Sequence, residues 1–335
     1  MKISLFKCRF SVHNNRKGGA DMNKKVKEAA LSVSAATASL FGGLVLWQKA
    51  CFWQAQKKID DTLFEIYAST NGDIAYTSMG QGRPLLLIHS MMLGTSRAEW
   101  DTVINTLAKS YHVYALDLPG FGGSFLPDKP WTAYQYAQCI HEFTEAVICR
   151  PAYILASNGG ADMALVASML YPEQIKGLIL ISPEGFGRGF ATNEETEPLH
   201  SLLLPLSGTQ LFLMGTTKRK IKEGLEEAFF AKEKITKEMI DSFHSSARSS
   251  KKAQITFAVL KTGFWRADTK AAFSALGVPF WIFWGEENKQ NPISNMDWAE
   301  SVRPDGEYVI FEDVGNFPHL ENSQNFLQLI KEYLK

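Results

Sequence analysis

Apolar residues in this chain recur in short runs separated by stretches of helical spacing, and the two patterns alternate. Leu63–Tyr67 and Ile74–Thr77 alternate apolar and polar positions around Asn71-Gly72, which predicts an antiparallel hairpin. Then come Leu85–His89, a helix within Ser96–Lys109, His112–Leu116, a helix within Tyr134–Ile148, and Ala152–Ala156 ahead of a helical Gly159–Tyr171. Unbroken apolar strands between amphipathic helices predict a mostly parallel sheet covered on both faces. From Pro183 to Val278 the strand signal fades. Lys218–Ser249 is charged and helical in pattern, as expected of a cap inserted over the strand ends. The expected α/β fold has its core at residues 62–183 and 278–335 and a helical cap at 184–277.

The N-terminus adds a segment of another kind. Ala29–Trp47 is an uncharged run of 19 residues, close to the ~20 that span a bilayer. Lys24, Lys25 and Lys27 precede it; Lys49, Lys57 and Lys58 follow. This predicts a basic segment (1–28), a transmembrane signal-anchor helix (29–53) and a polar linker (54–61), with the N-terminus cytoplasmic and the folded domain extracytoplasmic. Cleavage after Ala36-Thr37-Ala38 and a surface amphipathic helix are the alternatives, and Met22 is a second possible start.

Composition narrows the chemistry. The chain has 335 residues, 45% of them hydrophobic, with 35 basic against 35 acidic side chains. Balanced charge without a basic–aromatic stripe argues against a nucleic-acid partner. The four cysteines form no disulfide framework, no histidine pair or Cys-x-x-Cys has metal-ligand spacing, and no P-loop is present, so neither metal nor cofactor is expected.

The most informative stretch is Ala156-Ser157-Asn158-Gly159-Gly160, small residues crowding a strand-to-helix turn. Such a turn is the setting of a nucleophile elbow, where G-x-S-x-G lifts a serine above a sheet. From about Thr62 to Lys335 the chain resembles the α/β-hydrolase family. Pro84–Ser90 is similar to the strand ending in the oxyanion loop, Tyr114–Ser124 to the Asp-x-x-Gly-x-Gly-x-Ser loop, and Pro172–Pro183 to the strand after the elbow helix. The resemblance implies that Asn158 stands where the serine belongs. Gly285-Glu286-Glu287-Asn288 places Asn288 at the acid, and Gly315-Asn316-Phe317-Pro318-His319-Leu320-Glu321 places Asn316 at the catalytic histidine.

Three carboxamides cannot run the triad. A carboxamide does not lose a proton near neutrality, attacks poorly, and cannot serve as general base or acid. The expectation is therefore a membrane-anchored pseudohydrolase that binds or senses a small apolar or carbonyl-containing ligand. The candidate pocket residues are His89, Ser90, Met91 and Gly159, with the backbone N–H groups of Met91 and Gly159 as oxyanion donors. Phe264, Trp265 and Trp281 are candidates to line the pocket, and Leu202–Met214 to face it or a membrane. Ser157 and His319 are the fallback catalytic residues. Glu184, Glu286 and Asp313, near strand ends, join His319 if the chain is instead an active ester hydrolase or lyase. A scaffold for an unidentified protein partner is the third reading. Asn158-Gly159 is, in addition, a deamidation-prone pair.

Overall fold

The computed structural model describes residues 45–59 and 64–334 except 188 and 206, and before them only Lys27, Glu28, Ser39, Gly42 and Gly43. The chain divides into residues 1–51 and a unit from Phe52 to Lys335. In the first, residues 45–51 are helical, with Leu46 and Trp47 exposed. Much of the expected anchor (29–53) lies outside the described residues, among which no helix is long and apolar enough to cross a membrane.

The second unit is built on eight strands in the order β1-β2-β4-β3-β5-β6-β7-β8. These are β1 (Glu65–Ser69), β2 (Gly72–Met79), β3 (Arg83–Ile88), β4 (Tyr111–Leu116), β5 (Ala152–Ser157), β6 (Ile175–Ile181), β7 (Phe280–Gly285) and β8 (Glu307–Phe311). β2 pairs antiparallel with β1 and β4, and the pairs from β4 to β8 are parallel. The opening hairpin turns one residue earlier than its sequence signal: Ser69 pairs with Gly72, leaving Thr70-Asn71 as the loop.

Strand alternation sorts the core into two layers. Leu86, Ile88, Leu178, Leu180 and Ile282 pack on one face, with Phe143 and Trp284. Leu85, Leu87, Leu155, Ile179, Ile181 and Phe283 pack on the other, with Phe326 and Ile330. Burial on both faces explains why β3 and β6 read as continuous apolar runs. The helices covering the sheet include α1 (Asp101–Leu107), α2 (Ala133–Phe143) and α3 (Gly159–Leu170).

Among the described residues, the segment between β6 and β7 holds no strand. Its helices include α4 (Ser207–Gly215), α5 (Lys218–Ala228), α6 (Lys237–Ala247) and α7 (Ala253–Thr262). Ile221, Leu225, Phe229 and Phe243 pack with Phe317 and Leu320, joining the cap to the loop beyond β8. The apolar stretch 202–214 is split: Phe212 and Leu213 are buried, whereas Leu211 and Met214 are exposed.

One expected element is corrected. Residues 54–59, read as a polar linker, are helical, with Ala55 and Ile59 buried. Their i, i+4 spacing puts both on one helix face, a pair too short to register as periodicity among polar neighbours. Phe52, also helical and just ahead of these residues, stacks on Phe212 with ring centroids 6.1 Å apart.

Candidate functional site

The site forms where β5 turns into α3. Asn158 has φ 48° and ψ −121°, a left-handed conformation that costs a non-glycine residue about 1–3 kcal/mol unless its surroundings enforce it. Here they do. The Asn158 N–H donates to Ile181 O at 2.7 Å, and Ala161 N–H donates to Asn158 O at 2.9 Å. A Cβ on Gly160 would lie 2.2 Å from His89 O, so the helix can enter this close to β3 only with glycine there. Gly160→Ala is therefore expected to destabilise by about 1–3 kcal/mol. Gly224→Ala, in α5 with nothing within 4 Å of the added carbon, should stabilise by about 0.5–1 kcal/mol. Urea midpoints of the two variants check both signs.

Asn158 and Asn316 meet on a cavity of about 250 Å³. Asn158 Nδ2 donates to Ser157 Oγ at 3.1 Å and reaches Asn316 O at 3.4 Å. Asn316 Nδ2 donates to Gln290 Oε1 at 2.9 Å, and its backbone N–H donates to Ala228 O at 2.8 Å. Both side chains are at least 95% buried (3% and 5% exposed), yet Asn158 Oδ1 and Asn316 Oδ1 have no hydrogen-bond partner. Asn288 is buried but does not line this cavity. Its Oδ1 accepts from Asn291 N–H at 2.8 Å, closing a local turn, while its Nδ2 is unpartnered. From the turn after β7 it is Gln290, two residues on, that touches Asn316.

Ser90, Met91 and Trp265 line the cavity, as does Glu184; Lys261 and Arg266 supply positive charge. Arg266 is paired with Glu195 at 2.6 Å. The backbone N–H of Thr192, with that arginine, holds the Glu195 carboxyl down at about 2. Gly159 sits beneath Trp265 and Met91, whose atoms an added Cβ would meet at 2.3 and 2.7 Å.

Behind the cavity are two carboxylates that tie loops together. Glu99 is buried and accepts from Ser90 N–H at 3.0 Å and Ser90 Oγ–H at 2.7 Å. Its Oε1 lies 3.2 Å from His319 Nε2, a close contact not aligned as a hydrogen bond. Burial by itself would raise the Glu99 carboxyl, but His319, His89 and Ser90 outweigh it and hold the group below the usual carboxylate range. Glu321 Oε2 accepts from Phe230 N–H at 2.8 Å and Ala231 N–H at 2.9 Å in the cap. Its Oε1 accepts from Gly315 N–H at 3.0 Å and Phe317 N–H at 3.4 Å.

Several expected site residues lie elsewhere. His89 is fully buried: Nε2 accepts from Leu118 N–H at 3.0 Å, so Nδ1 carries the proton and donates to Ser90 O at 2.8 Å. Burial lowers its pKa, and it braces the loop instead of lining the cavity. His319 is fully buried, stacked on Trp100 with centroids 4.5 Å apart. Ser157 is fully buried in β5 and off the cavity wall. Glu286 and Asp313 are exposed and off the wall as well, leaving Glu184 as the fallback acid that reaches it. Of the three aromatics, Trp265 lines the cavity, Phe264 packs on one core layer and Trp281 on the other. Gln290, Lys261 and Arg266 went unread in the sequence, although each lies within a few residues of one that was singled out.

Residues 85–329 match the model described as "Alpha/beta hydrolase family". The pimeloyl-[acyl-carrier protein] methyl ester esterase of Aeromonas hydrophila is 22% identical over 78% of this chain and 99% of its own length. Among solved structures, a serine hydrolase involved in carbazole degradation has a TM-score of 0.67 at 19% identity, covering 81% of this chain and 98% of that one. The structure of a membrane phospholipase A, a bacterial virulence factor, has a TM-score of 0.65 at 21% identity, covering 93% of this chain and 98% of that one. These likenesses show the fold.

Proposed function

Because the chain belongs to the alpha/beta hydrolase family, we propose that it is a degenerate member that binds a small molecule at the strand ends without hydrolysing it. In this reading Asn158 takes the nucleophile's place, Asn316 the base's and Asn288 the acid's. One observation carries it: the residue held at the strained turn of β5 is an asparagine in contact with Asn316 on the cavity wall. Neither group can exchange a proton near neutrality.

The cavity argues for a ligand more polar than the sequence suggests. An unpartnered buried polar atom costs about 1–3 kcal/mol, and Asn158 Oδ1 and Asn316 Oδ1 are two such acceptors. A small molecule bearing N–H or O–H donors recovers that cost. Met91 and Gly159 N–H remain the candidate donors to a carbonyl on the same molecule. At about 250 Å³ the space suits a compact ligand.

We read residues 29–53 as a membrane anchor with the folded domain extracytoplasmic. The lysines at 24, 25 and 27 ahead of an uncharged run support this. A hydrolase working through non-triad groups is the second reading, favoured by Glu184 on the cavity wall.

Thermal melts of the full chain with a panel of small amides, amines, polyols and esters separate these readings. A ligand of the binding protein raises Tm without turnover, by about 2.7 kcal/mol of stability at a hundredfold excess over Kd. Turnover abolished by Glu184→Gln identifies the enzyme. A stoichiometric protein partner in a pull-down, with neither effect, identifies a scaffold.

A further inference from the structure

The turn that holds Asn158 also sets up a reaction within the chain. In an L-residue Cβ stands about 120° from its own nitrogen around the Cα–C bond, on the side to which a negative ψ brings the next nitrogen. At ψ −121° the Gly159 nitrogen eclipses Asn158 Cβ. That eclipsed arrangement is the one a five-membered ring through Cα, Cβ, Cγ, the Gly159 nitrogen and the Asn158 carbonyl carbon requires. Helical or strand values of ψ, about −42° or +135°, hold the two apart, and an unfolded chain rarely visits positive φ at a non-glycine residue. Here the hydrogen bonds to Ile181 and Ala161 enforce it. Gly159, crowded by Trp265 and Met91, can be nothing larger than glycine, so it carries no side chain of its own to shield its nitrogen.

We propose that Asn158 is a self-modification site, converted in the folded protein through a cyclic imide to an aspartyl or isoaspartyl residue on the cavity floor. The Gly159 nitrogen loses its proton and bonds to Asn158 Cγ. The Cγ–Nδ2 bond breaks, and Nδ2 takes up a proton and leaves as ammonia. Water then opens the imide: attack at Cγ gives isoaspartate's counterpart, aspartate, when the Cγ–N bond breaks, and attack at the main-chain carbonyl carbon gives isoaspartate. No oxidant, metal or cofactor is consumed. The Ser157 hydroxyl, 3.1 Å from Nδ2, is within reach of the departing nitrogen. The result is a carboxylate where a neutral amide stood, beside Lys261 and Arg266 on the same cavity.

Asn71-Gly72 provides an internal control. It lies in an exposed hairpin turn, and Asn71 does not have positive φ. The full chain is incubated at mildly alkaline pH, native and in urea, and peptides spanning 158–159 and 71–72 are followed by mass spectrometry. The expected result is exchange of NH for O at Asn158, with ammonia released, several-fold faster in the native protein than in urea, and no such acceleration at Asn71. An unchanged Asn158 peptide, or one that reacts more slowly when native, overturns the proposal. Asn158→Gln is one methylene too long for the same ring and must keep its mass. Should that variant misfold, the native-to-urea ratio of the unaltered chain still decides. The readout is a mass, independent of whether the cavity binds or hydrolyses anything.

Discussion

The native chain should hydrolyse p-nitrophenyl butyrate no faster than background, and Asn158→Ser/Asn288→Asp/Asn316→His should exceed it by about a thousandfold. A complete triad contributes about 10⁶ in kcat, so the variant is expected to recover part of that. The shortfall has a structural cause: Asn288 Oδ1 is committed to Asn291 N–H, and it is Gln290 that contacts Asn316. An aspartate at 288 would have to leave its local turn to orient a histidine at 316. Asn158→Ser alone should gain little, since a serine without a base is not activated. An enzyme-like rate in the native chain would refute the assignment of Asn158 and turn attention to Glu184, Ser157 and His319.

Glu99→Ala should cost about 2–5 kcal/mol, at about 1–3 kcal/mol for each Ser90 donor left buried without its acceptor, and lower Tm by on the order of 10 °C. It strands the Ser90 N–H and hydroxyl and removes the carboxylate facing His319. Glu99→Gln keeps an acceptor for Ser90 and should lose less. The two also differ in pH dependence. The folded-state pKa of Glu99 lies below its unfolded value, so its stabilising contribution is complete above the ordinary carboxylate range. That contribution fades as pH falls through the folded value. The gap between native protein and Glu99→Gln should thus be widest near neutral pH and narrow in acid; urea melts across that range measure it. A gap that widened on acidification would show the sign to be wrong.

The parts of this molecule that repeat a local rule were legible in its sequence. Strands such as β3 and β6 announce themselves because burial on both faces leaves the runs Pro84–Ile88 and Leu178–Ile181 without a polar position, and the turn at Asn158 because small residues must crowd it. What escaped depends on contacts between distant segments. Gln290 looks like an ordinary loop residue until the chain folds Asn316 onto it, and nothing local joins Glu99 to His319, 220 positions later. His89 and Ser157 sit beside the chemistry in sequence, yet burial turns one into a loop brace and the other into a strand residue. Residues 54–59 read as linker because two buried side chains in a polar setting make a weak signal.

The Glu321 carboxylate has a consequence for how anything enters or leaves the cavity. With Phe230 and Ala231 of the cap held by the Glu321 carboxylate, which is itself braced by Gly315 and Phe317, and Ala228 fixed to Asn316, that wall cannot swing without breaking three hydrogen bonds together. Among the described residues, the wall formed by Leu260–Arg266 meets the floor through the packing of Trp265 on Gly159 rather than through such a clasp. For the ligand proposed above, exchange is then expected to follow fluctuations of the segment after α7 more than those of the clasped wall. Loosening the Glu321 clasp would open a second door, speeding release of a bound molecule more than it changes the shape of the site that holds it.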